Sequence, residues 1–146
     1  SSYVRSFVPT GQVMELGSTQ VIAVKLTLAL HRTVFDARAP ILFLRSTDPA
    51  RFAGLAGEGG VGTGSGSLPE DTVFETLDLP AIGDESAGIL MRLRTARGEL
   101  ETLILFTSRG RVTLLTVVVG LAGTVSLDDA VPLARLVDER ILAGSP

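Results

Sequence analysis

Large apolar residues recur at every second position between residues 22 and 30. Ile22, Val24, Leu26, Leu28 and Leu30 fall on one side, and Val21, Ala23, Lys25, Thr27, Ala29 and His31 on the other. That period of two is the mark of a half-buried strand. Residues 3–8 upstream read as a short strand or an extended arm. The period then lengthens: Ala37, Ile41, Leu44 and Asp48 recur at helical spacing and predict a helix over 34–47. Thr33 or Asp36 is its N-cap, and Pro40 is expected in or near the first turn, where a missing N–H costs little. Asp48-Pro49 ends it, and a short helical piece over 49–55 is expected to follow.

Four more strands are predicted, at 72–79, 88–95, 99–107 and 111–119. The joints Ala96-Arg97-Gly98 and Ser108-Arg109-Gly110 each supply the glycine that a tight hairpin needs, so the last three strands form an antiparallel meander. Ser126-Leu127-Asp128-Asp129 begins a final helix, with Asp129 placed to complete a capping box. The helix runs to about residue 142, with Val131, Ala134, Leu136, Val137 and Ile141 inward and Gly144 as its stop. Pro132 delays regular hydrogen bonding to about Asp129.

The meander is apolar on both faces. Leu103 and Leu105 alternate with Leu100, Ile104 and Phe106, and Leu115, Val117 and Val119 alternate with Val112, Leu114 and Val118. Many antiparallel sheets keep one face wet; here each face needs cover. If both helices lie on one side, the other falls to the N-terminal segment, a glycine-rich stretch, a second subunit or a ligand. Leu103, Leu105, Leu115 and Val117 are expected in that second layer, as a surface for a ligand or partner. The predicted fold is a single α+β domain over 1–146. Its antiparallel sheet of about five strands carries two main helices, making an α/β sandwich, with a flexible Gly/Ser-rich loop at 54–68.

Composition narrows the classes. The chain has 146 residues, 45% of them hydrophobic and 20% charged, with 16 glycines. Mean hydropathy is +0.40, which excludes global disorder. A net charge of −3 denies the chain the positive field that nucleic acid requires. Lys25 is the single lysine, and the arginines are scattered rather than blocked into a polybasic anchor. The absence of cysteine removes disulfides, thiolate metal sites and cysteine nucleophiles. The longest uncharged run spans residues 112–127, too short for a bilayer-crossing helix and interrupted by Gly120 and Gly123. The opening Ser1-Ser2-Tyr3 reads as a trimmed or mature start.

Candidate chemistry is thin. His31 is the lone histidine, so a Ser–His–Asp site would have to use it with Asp36 or Asp84, and no nucleophile elbow accompanies it. Gly57, Gly59 and Gly62 match a dinucleotide fingerprint in spelling only, inside a run with no strand leading in. No catalytic residue, metal site or cofactor is assigned. Asp128-Asp129 suits a helix N-terminus, and Asp138-Glu139 with Arg135 and Arg140 reads as a solvated helix face. Gly83-Asp84-Glu85-Ser86 reads as a turn in which Asp84 accepts local backbone N–H groups, or as a polar rim contacting a ligand or partner. Arg92 and Arg94 share one strand face, with Arg109 and Arg111 flanking the neighbouring hairpin. They solubilise an apolar sheet, or meet an anionic ligand.

A strand, a helix, a Gly/Ser-rich loop, Gly83-Asp84-Glu85-Ser86, a meander with the hairpin Arg109-Gly110-Arg111, and a closing helix around Leu133-Ala134-Arg135-Leu136-Val137 occur in that order over residues 20–143. This layout resembles small exported bacterial domains, including lipoproteins and the extracellular sensor domains of some membrane kinases. It is also similar to PsbP-like α/β sandwiches. The resemblance implies a noncatalytic binding or accessory domain, extracellular or in the cell envelope, that holds an apolar small molecule, a lipid or a protein partner. A small hydrolase using His31 and a purely structural homodimer are the alternatives.

Overall fold

The computed structural model describes residues 2–7, 14–16, 19–46, 71–96 and 98–144, with side chains from Gln20 onward. The expected loop at 54–68 and the helical piece at 49–55 lie outside the described residues. In chain order the elements are β1 (Ser2–Phe7), β2 (Met14–Leu16), β3 (Thr19–Leu30), α1 (Val34–Ser46), β4 (Val73–Leu77), β5 (Glu85–Thr95), β6 (Gly98–Arg109), β7 (Val112–Leu121) and α2 (Leu127–Ala143). The fold is α+β. All strands join one antiparallel sheet in the order β1-β3-β7-β6-β5-β4, and β2 also pairs with β3. The five expected strands are β3 to β7; β1 adds the N-terminal strand and β2 is new.

The two helices lie on opposite faces of this sheet, which corrects the expectation that both cover one side. Beneath α2, Ala130, Val131 and Ala134 pack on Leu90, Leu103, Leu105 and Val118. Beneath α1, Ile41 and Leu44 pack on Ala87, Ile89, Ile104, Val117 and Val119. Leu103, Ile104 and Leu105 are consecutive, point alternately up and down, and are each at most 1% exposed. Burying a side chain of this size stabilises by roughly 1.5–3 kcal/mol, and this sheet collects that on both faces.

The expected grouping of Leu103, Leu105, Leu115 and Val117 into one layer is also corrected, and parity explains it. The hairpin between β6 and β7 closes on the pair Arg109 and Val112, so odd residues of β6 stand opposite even residues of β7. Leu103 and Leu105 face α2 with Val118 and Thr116. Val117 and the half-buried Leu115 face α1 with Ile104 and Phe106. The loop is Gly110-Arg111 rather than Ser108-Arg109-Gly110. Gly110 has φ +54, the positive value that the first position of a two-residue turn demands and that glycine adopts without strain. A similar slip occurs in β3, where the register shifts between Val21 and Ala23. Val21 therefore joins the α2-side core with Val24, while Ile22 and Ala23 pack against the α1 side.

Helix α1 starts at Val34 because Thr33 satisfies its first turn. The Asp36 N–H donates to Thr33 Oγ1 (3.1 Å) and the Ala37 N–H to the Thr33 carbonyl (3.3 Å). Pro40 consequently lies inside the helix, not in its first turn, and removes one interior hydrogen bond. The helix is held instead by its buried stripe of Ala37, Ile41 and Leu44. In α2, Ser126 Oγ accepts from the Asp128 N–H and Gly144 caps the far end, as expected. The helix begins at Leu127, and its first backbone bonds run from the Asp129 N–H (3.3 Å) and Ala130 N–H (3.2 Å) to the Ser126 carbonyl, as expected. Of its expected inward residues, Val131 and Ala134 are buried and Val137 and Ile141 half-buried, but Leu136 is exposed.

Candidate functional site

The polar residues singled out in the sequence fall at two ends of β5. Seven residues of strand separate Glu85 from Arg92, roughly 24 Å at ~3.4 Å per residue. They do not form one site.

At the first end the chain enters β5 through Gly83, which forms an isolated parallel bridge with Ser108. Its φ is +67, and a Cβ there would lie 2.3 Å from the Ser108 carbonyl oxygen. Glycine is required on both counts. This close approach lets the Asp84 N–H donate to the same carbonyl (2.7 Å). Asp84 Oδ2 accepts the Gly110 N–H at 2.7 Å, so the acid caps the neighbouring hairpin rather than its own turn. Glu85 and Ser86 belong to β5, not to a turn. Arg109 contacts Asp84 (3.4 Å) and binds Asp138 through two bonds, Nε to Oδ1 at 3.0 Å and Nη2 to Oδ2 at 2.6 Å. Hydrogen bonding to Asp138 raises the Arg109 guanidinium above its ordinary pKa, with the nearby carboxylate charges adding to the effect. Asp138 is 7% exposed, which corrects its reading as part of a solvated face. It follows Val131 and Ala134 by seven and four residues and so sits on the inner stripe.

Beside this clasp, Glu85 faces Arg38 (3.4 Å) and Arg45 (3.8 Å), and Arg45 also donates to the Ser86 carbonyl (2.9 Å). These contacts fasten α1 to β5. A groove of about 430 Å³ runs beside them, between the end of α1 and β4, with Arg45, Thr76 and Asp78 on its walls.

At the other end Arg92 bridges two acids. Its Nε donates to Glu101 (3.0 Å) and its Nη1 to Glu75 (2.9 Å). Those two hydrogen bonds raise its pKa, Glu101 contributing more than Glu75. Glu101 is buried and its second oxygen accepts the Gly123 N–H (2.9 Å), which ties the loop after β7 to the sheet. Arg94 pairs with Glu99 (2.7 Å) in the open, where such a pair contributes little. An open groove of about 490 Å³ passes over Arg92, Glu101 and Gly123. Both arginines are committed to carboxylates, and each carboxylate to a donor.

His31 sits at the end of β3. Thr113 Oγ1 donates its one hydrogen to the Ala37 carbonyl (2.7 Å), so in the 3.0 Å contact with His31 Nε2 the ring must donate. The imidazole thus fastens β3 and α1 to β7 through a threonine. Its partner is neither a serine nor a carboxylate, the groups a nucleophilic site would need. Among the described residues, no group of three or more His, Cys, Asp or Glu side chains is placed to hold a metal ion, and no helix is long and apolar enough to cross a membrane.

Of the residues that complete these networks, Glu75, Glu101, Arg38 and Arg45 were not singled out from sequence, and Asp138 reads there as part of a solvated face. Glu101 had a readable signal: once Thr95 is paired with Gly98, Arg92 stands opposite Glu101 and Arg94 opposite Glu99. Arg38 and Arg45 had none, since their partner depends on which face α1 takes.

No family model matches the chain, and no curated protein matches it. Among solved structures, "Crystal Structure of Protein of Unknown Function PA94 from Pseudomonas aeruginosa, Putative Regulator" is similar at a TM-score of 0.36 and 13% identity, covering 100% of this chain and 82% of that one. A likeness at that level carries no argument about function.

Proposed function

We propose that this chain is a noncatalytic binding or accessory module, working outside the cytoplasmic membrane, and that it meets its partner over the outer surface of α1. The observation that carries this reading is the asymmetry of exposure. Both sheet faces are covered by the chain's own helices, and Asp84, Glu85, Arg92, Arg94, Arg109 and Asp138 are paired within the fold. Yet on α1 Phe35 is 71% exposed, Leu42 41% and Phe43 38%. Side chains of this kind grouped on one face mark a contact surface. The extracytoplasmic placement rests on the PsbP-like layout.

Native mass spectrometry of the purified chain tests the reading. A second copy, or a co-purifying apolar ligand or peptide that Phe35→Asp abolishes, is expected. A bare monomer at high concentration, unaffected by that substitution, would overturn it. The hydrolase alternative is tested separately: a chromogenic ester turned over by the protein, and lost a thousandfold in a folded His31→Ala variant, would replace this reading.

A further inference from the structure

We propose that α1 is joined to the sheet through an internal binding site for one small neutral hydrogen-bonding molecule, a water in the free protein, held between Arg38, Glu85 and Ser108.

The underside of α1 has two halves. In one, Ile41 and Leu44 pack on Ala87, Ile89, Ile104 and Val117. The other is polar, and strand parity builds it. Odd residues of β5 and β7 and even residues of β6 face α1, as Ile89, Val117 and Ile104 do. The same parity turns Glu85, Ser108 and Thr113 to that side. These three stand in one row across the sheet, Glu85 opposite Ser108 and Ser108 opposite Thr113.

Some atoms of this row are spoken for. Thr113 Oγ1 donates to the Ala37 carbonyl and accepts from His31. Glu85 Oε1 faces Arg38 Nη1 at 3.4 Å. Three atoms remain. Ser108 Oγ, Glu85 Oε2 and Arg38 Nε are all buried, and none makes a hydrogen bond among the described residues. Arg45 Nη1, at 3.8 Å from Glu85 Oε2, is an ion-pair contact beyond hydrogen-bond reach. Ser108 itself is 1% exposed.

The three atoms are complementary to one molecule. Directly opposed residues have Cβ atoms roughly 4.5–5.5 Å apart, so Glu85 and Ser108 share one neighbourhood, and Arg38 reaches it from α1. A carboxylate oxygen only accepts, a guanidinium Nε–H only donates, and a serine hydroxyl does both. A water that donates to Glu85 Oε2 and accepts from Arg38 Nε and Ser108 Oγ satisfies all of them with the about three bonds usual for an internal water. Charge selects a neutral occupant. Glu85 repels an anion, and Arg38 and Arg45 repel a metal cation.

Thr116 supplies the contrast. Its Oγ1 is also buried and without a hydrogen bond, at 0% exposure. Yet it stands opposite Leu26 and Leu105, on the α2 face. A lone hydroxyl among leucines cannot hold a water, which needs two to four polar partners. Removing an orphan hydroxyl relieves a desolvation cost, whereas removing one that holds a water breaks a bond.

The two sites should therefore respond with opposite signs. Ser108→Ala should lower the thermal midpoint of the full chain by roughly 3 °C or more, and Thr116→Val should raise it by a similar amount. A crystal structure of the unchanged protein should show an ordered water within hydrogen-bond distance of Ser108 Oγ, Glu85 Oε2 and Arg38 Nε. A Ser108→Ala variant that melts at the same temperature or higher overturns the proposal. So does a crystal structure in which Ser108 Oγ bonds directly to Glu85, or in which a side chain or an ion takes the place of the water. If Ser108→Ala does not fold, the crystal structure of the unchanged protein decides alone.

Discussion

The two helices do the same job on opposite faces of the sheet and are finished differently. Helix α2 presents one inner stripe, Ala130, Val131, Ala134 and Asp138, and its outer side carries Asp128, Arg135, Glu139 and Arg140. Leu136 and Leu142 are exposed on it, but charged neighbours break them up. Both its ends are capped, with Asp128 and Asp129 in the first turn and Arg140 in the last, in line with the helix dipole. Helix α1 likewise has a capped start, an acid in its first turn, Arg45 in its last and an interior proline, and it differs in carrying no charge along its outer stripe. The comparison teaches that covering a sheet accounts for all of α2 and only half of α1.

Substitutions that separate inner from outer positions test this contrast. Ile41→Ala, at a fully buried site, should cost about 3 kcal/mol, read as a fall of roughly 10 °C in the thermal midpoint of a domain this size. A loss below 1 kcal/mol would mean that α1 is not docked as described. Asp138→Ala removes the anchor of α2 and leaves Arg109 facing an empty place. Because the Arg109 side chain retains 29% exposure, the cost should be nearer 2 kcal/mol than that of a fully buried pair. Calorimetry of the double variant with Arg109→Ala should then show clear non-additivity, and simple addition of the two effects would deny the pair. Ser126→Ala removes the N-cap of α2 and should cost about 1 kcal/mol by urea titration with an unchanged slope. Leu42→Ala, one residue from Ile41, should change the stability of dilute protein by less than about 0.5 kcal/mol. A large effect there would erase the distinction between the two sides of α1.

Much of α2 was legible in advance because caps, spacing and stop signal agree within a few residues. Besides Leu136, expected inward but exposed, its misread residue is informative: Asp138 satisfied the inner spacing, but a carboxylate argues for solvent unless its arginine is known, and Arg109 is 29 residues away. The strands were legible as elements, while their sidedness was not. Which residues share a layer depends on the parity of the hairpin between β6 and β7, and moving the turn from Arg109 to Gly110-Arg111 regroups Leu115 and Val117. Pro40 misled because local propensity favours proline in a first turn, whereas the Thr33 cap and the buried stripe fixed the helix start earlier. Nothing in a linear pattern says on which side of a sheet a helix will land. For that reason the polar contacts of Arg38, Arg45 and His31, all made across layers, could not be read.

The position of β7 has a consequence for misassembly. Its ten residues contain no charge and no proline, and Val, Leu and Thr fill nine of the ten positions. In the native sheet both of its hydrogen-bonding edges are taken, by β3 and by β6. The pairing with β6 is local, but β3 reaches β7 from more than 80 residues away, as Leu30 opposite Val112 shows. Closure of that side must therefore wait for the chain between them. Until β3 arrives, or whenever it peels off, the molecule displays a long uncharged edge with high strand propensity, flanked at its start by Arg111 and carrying no charge within it. A variant that loosens β3 should thus scatter light as it melts instead of unfolding cleanly, so that the protein's solubility on heating is set by one strand's grip on its neighbour.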